Sequence, residues 1–251
     1  MRPVDRVLVE IIVAAPIDRV WSALRDRAQI SEWFGWQFPG ADAHYDWVAA
    51  APASTRGDVR EITHDPDRYV VEPYDEGRTI VRVIRSAPAT DKSWTGIYDD
   101  VFEGWMTFTQ QLRFLVERAP TLTRRTLYLN GRAGNAGDPA PLEALGLGAL
   151  ATTGIGERYA VKTATGDTLS GEVWYRSTYQ LGLTVKEFGD GLLVVNTRPT
   201  TAKSPHGGGT VMLVTYGLSD AALADLFTRW PAWWKKSFEV IEIQPVSSKH
   251  T

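Results

Sequence analysis

Residues 6 to 13, Arg-Val-Leu-Val-Glu-Ile-Ile-Val, run directly into Ala14-Ala15-Pro16, and after the helices that open there short strands dominate until a long helix begins at Asp100. The branched apolar run predicts a strand. Pro16 opens a helix, Asp18 sits at its positive end, and Ile17, Val20, Trp21 and Leu24 fall at i, i+3, i+4 and i+7. A second short helix carries Ile30, Trp33 and Phe34 and ends at Gly35. Short strands follow. Ala43 to Val48 alternates, with Tyr45 and Trp47 on one face and His44 and Asp46 on the other, which reads His44 as a surface side chain. Tyr69 to Tyr74 and Arg78 to Arg85 flank Asp75-Glu76-Gly77 and predict a β-hairpin. A long helix closes the unit: Asp100 and Glu103 form a capping box, so Asp99 and Asp100 read as cap and turn, not as a catalytic pair. Trp105, Phe108, Leu112 and Leu115 then make an apolar seam. This order predicts an α+β fold with an antiparallel sheet.

The second half replays the order. Arg125 to Asn130 predicts a strand, Gly131 to Pro141 a loop, and Pro141 to Leu150 a glycine-interrupted helix. Strand candidates follow at Gly156–Thr163, Glu172–Tyr179, Leu181–Phe188, Leu192–Thr197 and Thr210–Tyr216. Aligning Gly77 with Gly191 pairs Val71 with Val185, Val81 with Val195 and Arg82 with Asn196 at a constant offset of 114 residues. Ser219 caps a last helix through Leu223, Leu226 and Phe227, and Pro231 predicts a kink or fresh start before Trp233, Trp234 and Phe238. The expected organisation is a tandem, residues 1–121 and 122–245, with a flexible tail at 246–251. One large domain whose second half has no core of its own is the alternative.

Composition removes several function classes. Among 251 residues there is no cysteine, so disulfides, thiolate metal sites and a cysteine nucleophile are absent. A net charge of -3, from 27 basic and 30 acidic side chains without long runs, gives no nucleic-acid footprint. His44, His64, His206 and His250 have no metal-ligand spacing. No lysine follows a glycine, the Gly131–Gly137 stretch misses the dinucleotide spacing, and Ser170-Gly171 lacks the glycine of a nucleophile elbow. No charge-free stretch approaches the roughly 18 residues of a spanning helix. The expectation is a cytoplasmic protein with no cofactor, no metal, no nucleic-acid partner and no membrane insertion.

Val9 to Leu24 with its Ala-Pro-Ile-Asp-Arg-Val-Trp core, Glu32-Trp33-Phe34-Gly35, and Glu103-Gly104-Trp105 with Leu112 together resemble the START-like (SRPBCC) superfamily. The branch they resemble is that of the activator of the ninety-kilodalton heat-shock chaperone's ATPase. The match covers roughly residues 6 to 118; residues 138 to 150 lack the Pro-x-x-x-Val-Trp pattern, so the second half reads as a divergent copy. The resemblance implies a helix-grip fold, a curved antiparallel sheet around a long C-terminal helix, often with an apolar cavity between them. Ten tryptophans, nine tyrosines and eight phenylalanines supply large flat side chains for such a space or for a solid core. Arg82, between Ile80 and Ile84 on one strand face, needs either an acidic partner or a ligand's anionic group.

The function these readings favour is binding of a hydrophobic small molecule without catalysis, lined by Trp33, Phe34, Trp47, Arg82, Trp94, Tyr98, Trp105 and Phe108. An enzyme of cyclase or lyase type on a polyketide-like or aromatic substrate is the alternative, with His64, Glu61, Tyr98 and Arg82 as acid–base candidates. The family branch also implies a chaperone partner as a third reading.

Overall fold

A computed structural model describes residues 3–88, 100–202 and 204–244. The chain divides into two compact units, Met1–Gly35 with Gly40–Pro120, and Trp36–Pro39 with Thr121–Thr251.

In the first unit, β1 (Pro3–Val13) leads into α1 (Ile17–Arg25), α2 (Arg27–Ser31) and α3 (Ala41–Ala49), then β2 (Ala53–Arg56), β3 (Val59–His64), β4 (Asp67–Asp75), β5 (Arg78–Pro88) and the long α4 (Asp100–Arg118). Every strand pairing is antiparallel, in the order β1-β5-β4-β3-β2. The period of two then sorts the side chains. Val9, Val13, Ile62, Tyr69, Val71, Val81 and Val83 share the buried inner face. Glu10, Glu61, Arg68, Glu72 and Arg82 share the outer one. α4 lies on the inner face: the Trp105 indole N–H donates to Asp67 Oδ2 at 2.7 Å, and the Ala14 amide reaches Glu117 Oε1 at 2.8 Å. This is the helix-grip arrangement.

The second unit contains β6 (Arg124–Arg132), a single-turn α5 (Pro141–Ala144), β7 (Arg158–Lys162), β8 (Thr168–Arg176), β9 (Gln180–Val185), β10 (Gly191–Arg198), β11 (Gly208–Tyr216), α6 (Asp220–Ser237) and β12 (Glu239–Gln244). Its order is β12-β6-β11-β10-β9-β8-β7. As in the first unit, the first strand pairs with the last and the others descend outward; β12 is added beyond β6. Leu127, Leu183, Leu193, Val195, Val211 and Leu213 form one buried sheet face against Leu226, Trp230 and Trp234 of α6 and Phe238 at its end. Ser219 caps α6 by accepting from the Ala222 amide at 3.3 Å.

Four sequence expectations are corrected. Ala43–Val48 is helical, within α3, because Ala41, Tyr45 and Val48 bury at i, i+4 and i+7; the period-two alternation across four residues was a coincidence of the same side chains. α6 runs unbroken through Pro231, so the helix makes no fresh start there. The Gly191 turn joins β9 to β10, whereas the counterpart of the β4–β5 hairpin in the shared winding is β10–β11, so the offset of 114 aligns non-equivalent strands. Turn lengths differ too: Asp75 pairs with Arg78, but Val185 pairs with Gly191 across a 3-10 turn that Gly189 leaves with φ +72. Finally, Arg82 is on the outer face and takes its partners there, as described below.

Candidate functional site

Helical spacing and sheet register bring the first unit's rings together. On α3, His44 and Trp47 stand three residues apart; on α4, Trp105 and Phe108 do the same. After α2 the chain turns through Trp33, Phe34 and Gly35, whose φ of +61 suits glycine, and a Cβ there would meet the Phe108 ring at 3.8 Å. The sheet contributes His64 from the end of β3 and Tyr69 from β4.

These rings close on themselves. Trp47 meets His64 at 5.0 Å between centroids, His64 meets Trp105 at 6.3 Å, and Trp105 meets Phe108 at 6.2 Å. Phe108 meets Phe34 at 4.8 Å, Phe34 meets His44 at 5.8 Å, and His44 returns to Trp47 at 5.8 Å. Tyr69 touches both His64 and Trp105, and Trp33 touches both Tyr69 and Phe34, all in edge-on geometry. The circuit is graded in depth. Trp33 and Tyr69 are fully buried, Phe34, His64 and Trp105 are buried, Phe108 is half-buried, and His44 and Trp47 are exposed, Trp47 at 52%. The result is an aromatic ring with a buried floor and a wet rim.

Its polar groups are few. Asp67, beside His64 across the β3–β4 turn, is buried and accepts from Trp105 Nε1, from Arg85 Nε and, at 2.6 Å, from Arg85 Nη2. That set neutralises the carboxylate. His64 is different: its Nδ1 is buried with no hydrogen-bond partner, and neither ring nitrogen is engaged by a hydrogen bond among the described residues. Burial pulls the His64 pKa below its ordinary value, the Arg25 charge adds to that, and Asp67 opposes it. A neutral imidazole is the result, able to accept a proton or a hydrogen bond. Burial likewise raises the Tyr69 phenol, so it stays protonated.

The sequence-predicted residues are distributed as follows. Trp33, Phe34, Trp105 and Phe108 meet, and Trp47 joins them at the rim from a helix instead of a strand. His64 lies in the circuit. Arg82 does not: it is on the far face of the sheet, pairing with Glu10 at 2.6 Å and with Glu72, because the register puts those carboxylates on neighbouring strands. Glu61 shares that face and pairs with Arg68 at 3.3 Å. Trp94 and Tyr98 lie outside the described residues, as does the Asp100 side chain of the expected capping box. His44, Asp67 and Tyr69 were missed as site residues. Reading α3 with a period of 3.6 would have found His44; nothing local marks Asp67.

The second unit repeats the pin without the circuit. Asp167 accepts from Arg229 Nη1 at 2.9 Å and Nη2 at 2.8 Å, from Thr165 at 2.6 Å and from the Trp230 indole at 2.8 Å. Burial pushes the Asp167 pKa up, but the hydrogen bonds from Arg229 and Thr165 hold it below the usual carboxylate range. Phe188 of the turn after β9, Trp230, Trp233 and Trp234 of α6, and Phe238 just beyond it touch in succession and pack into the leucine-rich core. The candidate site is therefore the first unit's.

No family model and no curated protein matches the chain. One solved structure is similar. It is the di-domain ARO/CYC StfQ from the steffimycin biosynthetic pathway, at 11% identity over 89% of this chain and 87% of that one, with a TM-score of 0.26. Among the described residues no group of three His, Asp or Glu side chains is placed to hold a metal ion, and no helix is long and apolar enough to cross a membrane.

Proposed function

We propose that the first unit binds a flat, hydrophobic small molecule at the aromatic circuit, and that the chain holds two START-like domains, residues 1–121 and 122–245, each built around one of the two units. The shared strand winding supports the second part. The observation that carries the first is the closed circuit of six rings whose outer members, His44 and Trp47, are exposed while its deeper members are buried. A ring packed only for stability gains most by burying Trp47, since a covered aromatic side chain is worth about 1.5–3 kcal/mol. A ligand ring seated against it recovers that area and adds about 0.5–1.5 kcal/mol for each well-placed aromatic pair.

The test is calorimetry and thermal shift with a panel of bicyclic aromatic compounds, on the wild-type chain and on Trp47→Ala. Saturable binding that Trp47→Ala weakens by about tenfold or more, without lowering the melting temperature, is the expected result. No binding to any member of the panel would refute the proposal.

His64 supports a second reading, catalysis on a bound aromatic or polyketide-like substrate. An apolar setting holds this imidazole neutral with an unpartnered nitrogen, as a general base requires. On that reading His64→Gln abolishes turnover of a substrate while leaving its binding measurable.

A further inference from the structure

Several polar atoms around the circuit are already paired. Trp33 Nε1 donates to Ala23 O at 2.9 Å, and Trp105 Nε1 to Asp67 Oδ2 at 2.7 Å. One turn further along α4, the Thr109 hydroxyl donates to Trp105 O at 2.7 Å. Asp67 also receives Nε and Nη2 of Arg85, which engages both of its oxygens. Two other groups, His64 Nδ1 and the Tyr69 hydroxyl, are buried with no hydrogen-bond partner. Tyr69 has no exposed surface and lies at the floor. His64 is the one a ligand can meet.

Ring contacts place it. The imidazole stands 5.0 Å from the exposed Trp47 ring and 6.3 Å from the buried Trp105 and Tyr69 rings, where the rim of the circuit joins its floor. Its own exposure is 6%, and Nδ1 is shut off from bulk water. An unpaired polar atom in that position carries the full cost of its lost hydration, which is why folded proteins rarely leave one. The chemistry of the atom limits what can pair with it. In a neutral imidazole Nδ1 is either an N–H or a bare nitrogen, so a partner that serves both tautomers must donate as well as accept. A hydroxyl does both. Ether and carbonyl oxygens only accept, an ammonium only donates, and a hydrocarbon does neither.

We propose that the ligand is a phenol: a flat ring or fused ring system held among Trp47, Trp105, Phe34 and Phe108, whose hydroxyl leads inward and pairs with His64 Nδ1. This rests on the circuit being a binding site, and it adds the polar group that orients the ligand there. The surrounding rings supply apolar area without direction, and the imidazole supplies the direction. A site that pairs with a hydroxyl rejects analogues lacking it more strongly than a hydrophobic wall rejects a change of size, because the buried nitrogen is again left unpaired.

The experiment compares three probes of similar shape on the full chain by equilibrium dialysis at pH 7.5: 2-naphthol, 2-methoxynaphthalene and 2-methylnaphthalene. The naphthol is expected to bind at least about tenfold more tightly than either of the others. Burial alone predicts the reverse order, since the methoxy and methyl groups add apolar surface. His64→Phe, which keeps a flat ring beside Trp47 and Trp105, is expected to remove the preference for the naphthol. Should His64→Phe fail to fold, the wild-type order still decides. Equal or weaker binding of the naphthol, or a preference that survives in His64→Phe, overturns the hydroxyl assignment and leaves the aromatic site standing. Absence of binding by all three overturns both.

Discussion

Replacing Trp105 by Phe tests whether α4 is held to the sheet by the Asp67 pin or by ring packing alone. The substitution keeps an aromatic ring in contact with Tyr69 and Phe108 but removes the indole N–H that Asp67 accepts at 2.7 Å. Two terms follow. A hydrogen bond to a buried charged group is worth about 1.5–3 kcal/mol. The smaller ring buries about 50 Å² less, which at about 25 cal/mol per Å² is about 1 kcal/mol. The sum is about 3 kcal/mol. Because the chain has two units, a single global transition is a poor readout, and hydrogen exchange of α4 peptides reports the local opening directly. A loss of 3 kcal/mol lowers protection by about two orders of magnitude. Asp67→Asn, which leaves Arg85 without its carboxylate, is expected to lower protection further, by about 3–5 kcal/mol. In the double variant the coupling energy should be about 1.5–3 kcal/mol. The reasoning is refuted if Trp105→Phe costs only the area term of about 1 kcal/mol and the two changes add within about 0.5 kcal/mol.

Other consequences are independent of that one. Since burial lowers the folded-state pKa of His64, the unfolded chain takes up the proton first, and stability should fall as the pH drops through about 6.5, by at most about 1.4 kcal/mol per pH unit. His64→Phe should flatten the unfolding profile between pH 5 and 7.5, and an unchanged slope would count against it. Trp33→Ala, at a fully buried ring whose N–H donates to Ala23 O at 2.9 Å, should cost about 3–5 kcal/mol by chemical denaturation. Trp47→Ala, at the exposed rim, should stay within about 0.5 kcal/mol of wild type in the same assay. Gly189→Ala should destabilise the β9–β10 connection, because its Cβ would lie 1.7 Å from Tyr216 O at a φ of +72; wild-type urea midpoints would refute this.

Much of the architecture is written in local chemistry. Pro16, Asp18 and the spacing of Val20 and Leu24 dictate α1, Ser219 dictates the start of α6, and the seam from Trp105 to Leu115 dictates α4. Those are signals within one turn or one strand, where propensity and periodicity act directly. α3 shows the limit. Over six residues, alternation and helical spacing select overlapping apolar sets, and the choice fell to whether Ala41, Tyr45 and Val48 had something to pack against. The same error moved His44 off the site.

The sequence by itself determined the fold class, the absence of thiol chemistry, and which residue types are plentiful enough to build an aromatic site. It did not determine which of those residues meet. Trp47 and Trp105 are 58 positions apart, yet both touch His64, and Asp67 finds Trp105 and Arg85 only after β4, β5 and α4 are in register. Nor could local reading say which partner Arg82 takes: between Ile80 and Ile84 it needed an acidic side chain or a ligand's anion, and the register of β1, β4 and β5 gives it Glu10 and Glu72. Ion pairing and ring contact fall off within a few ångströms, so they depend on through-space neighbours that only the folded sheet and its helix bring together.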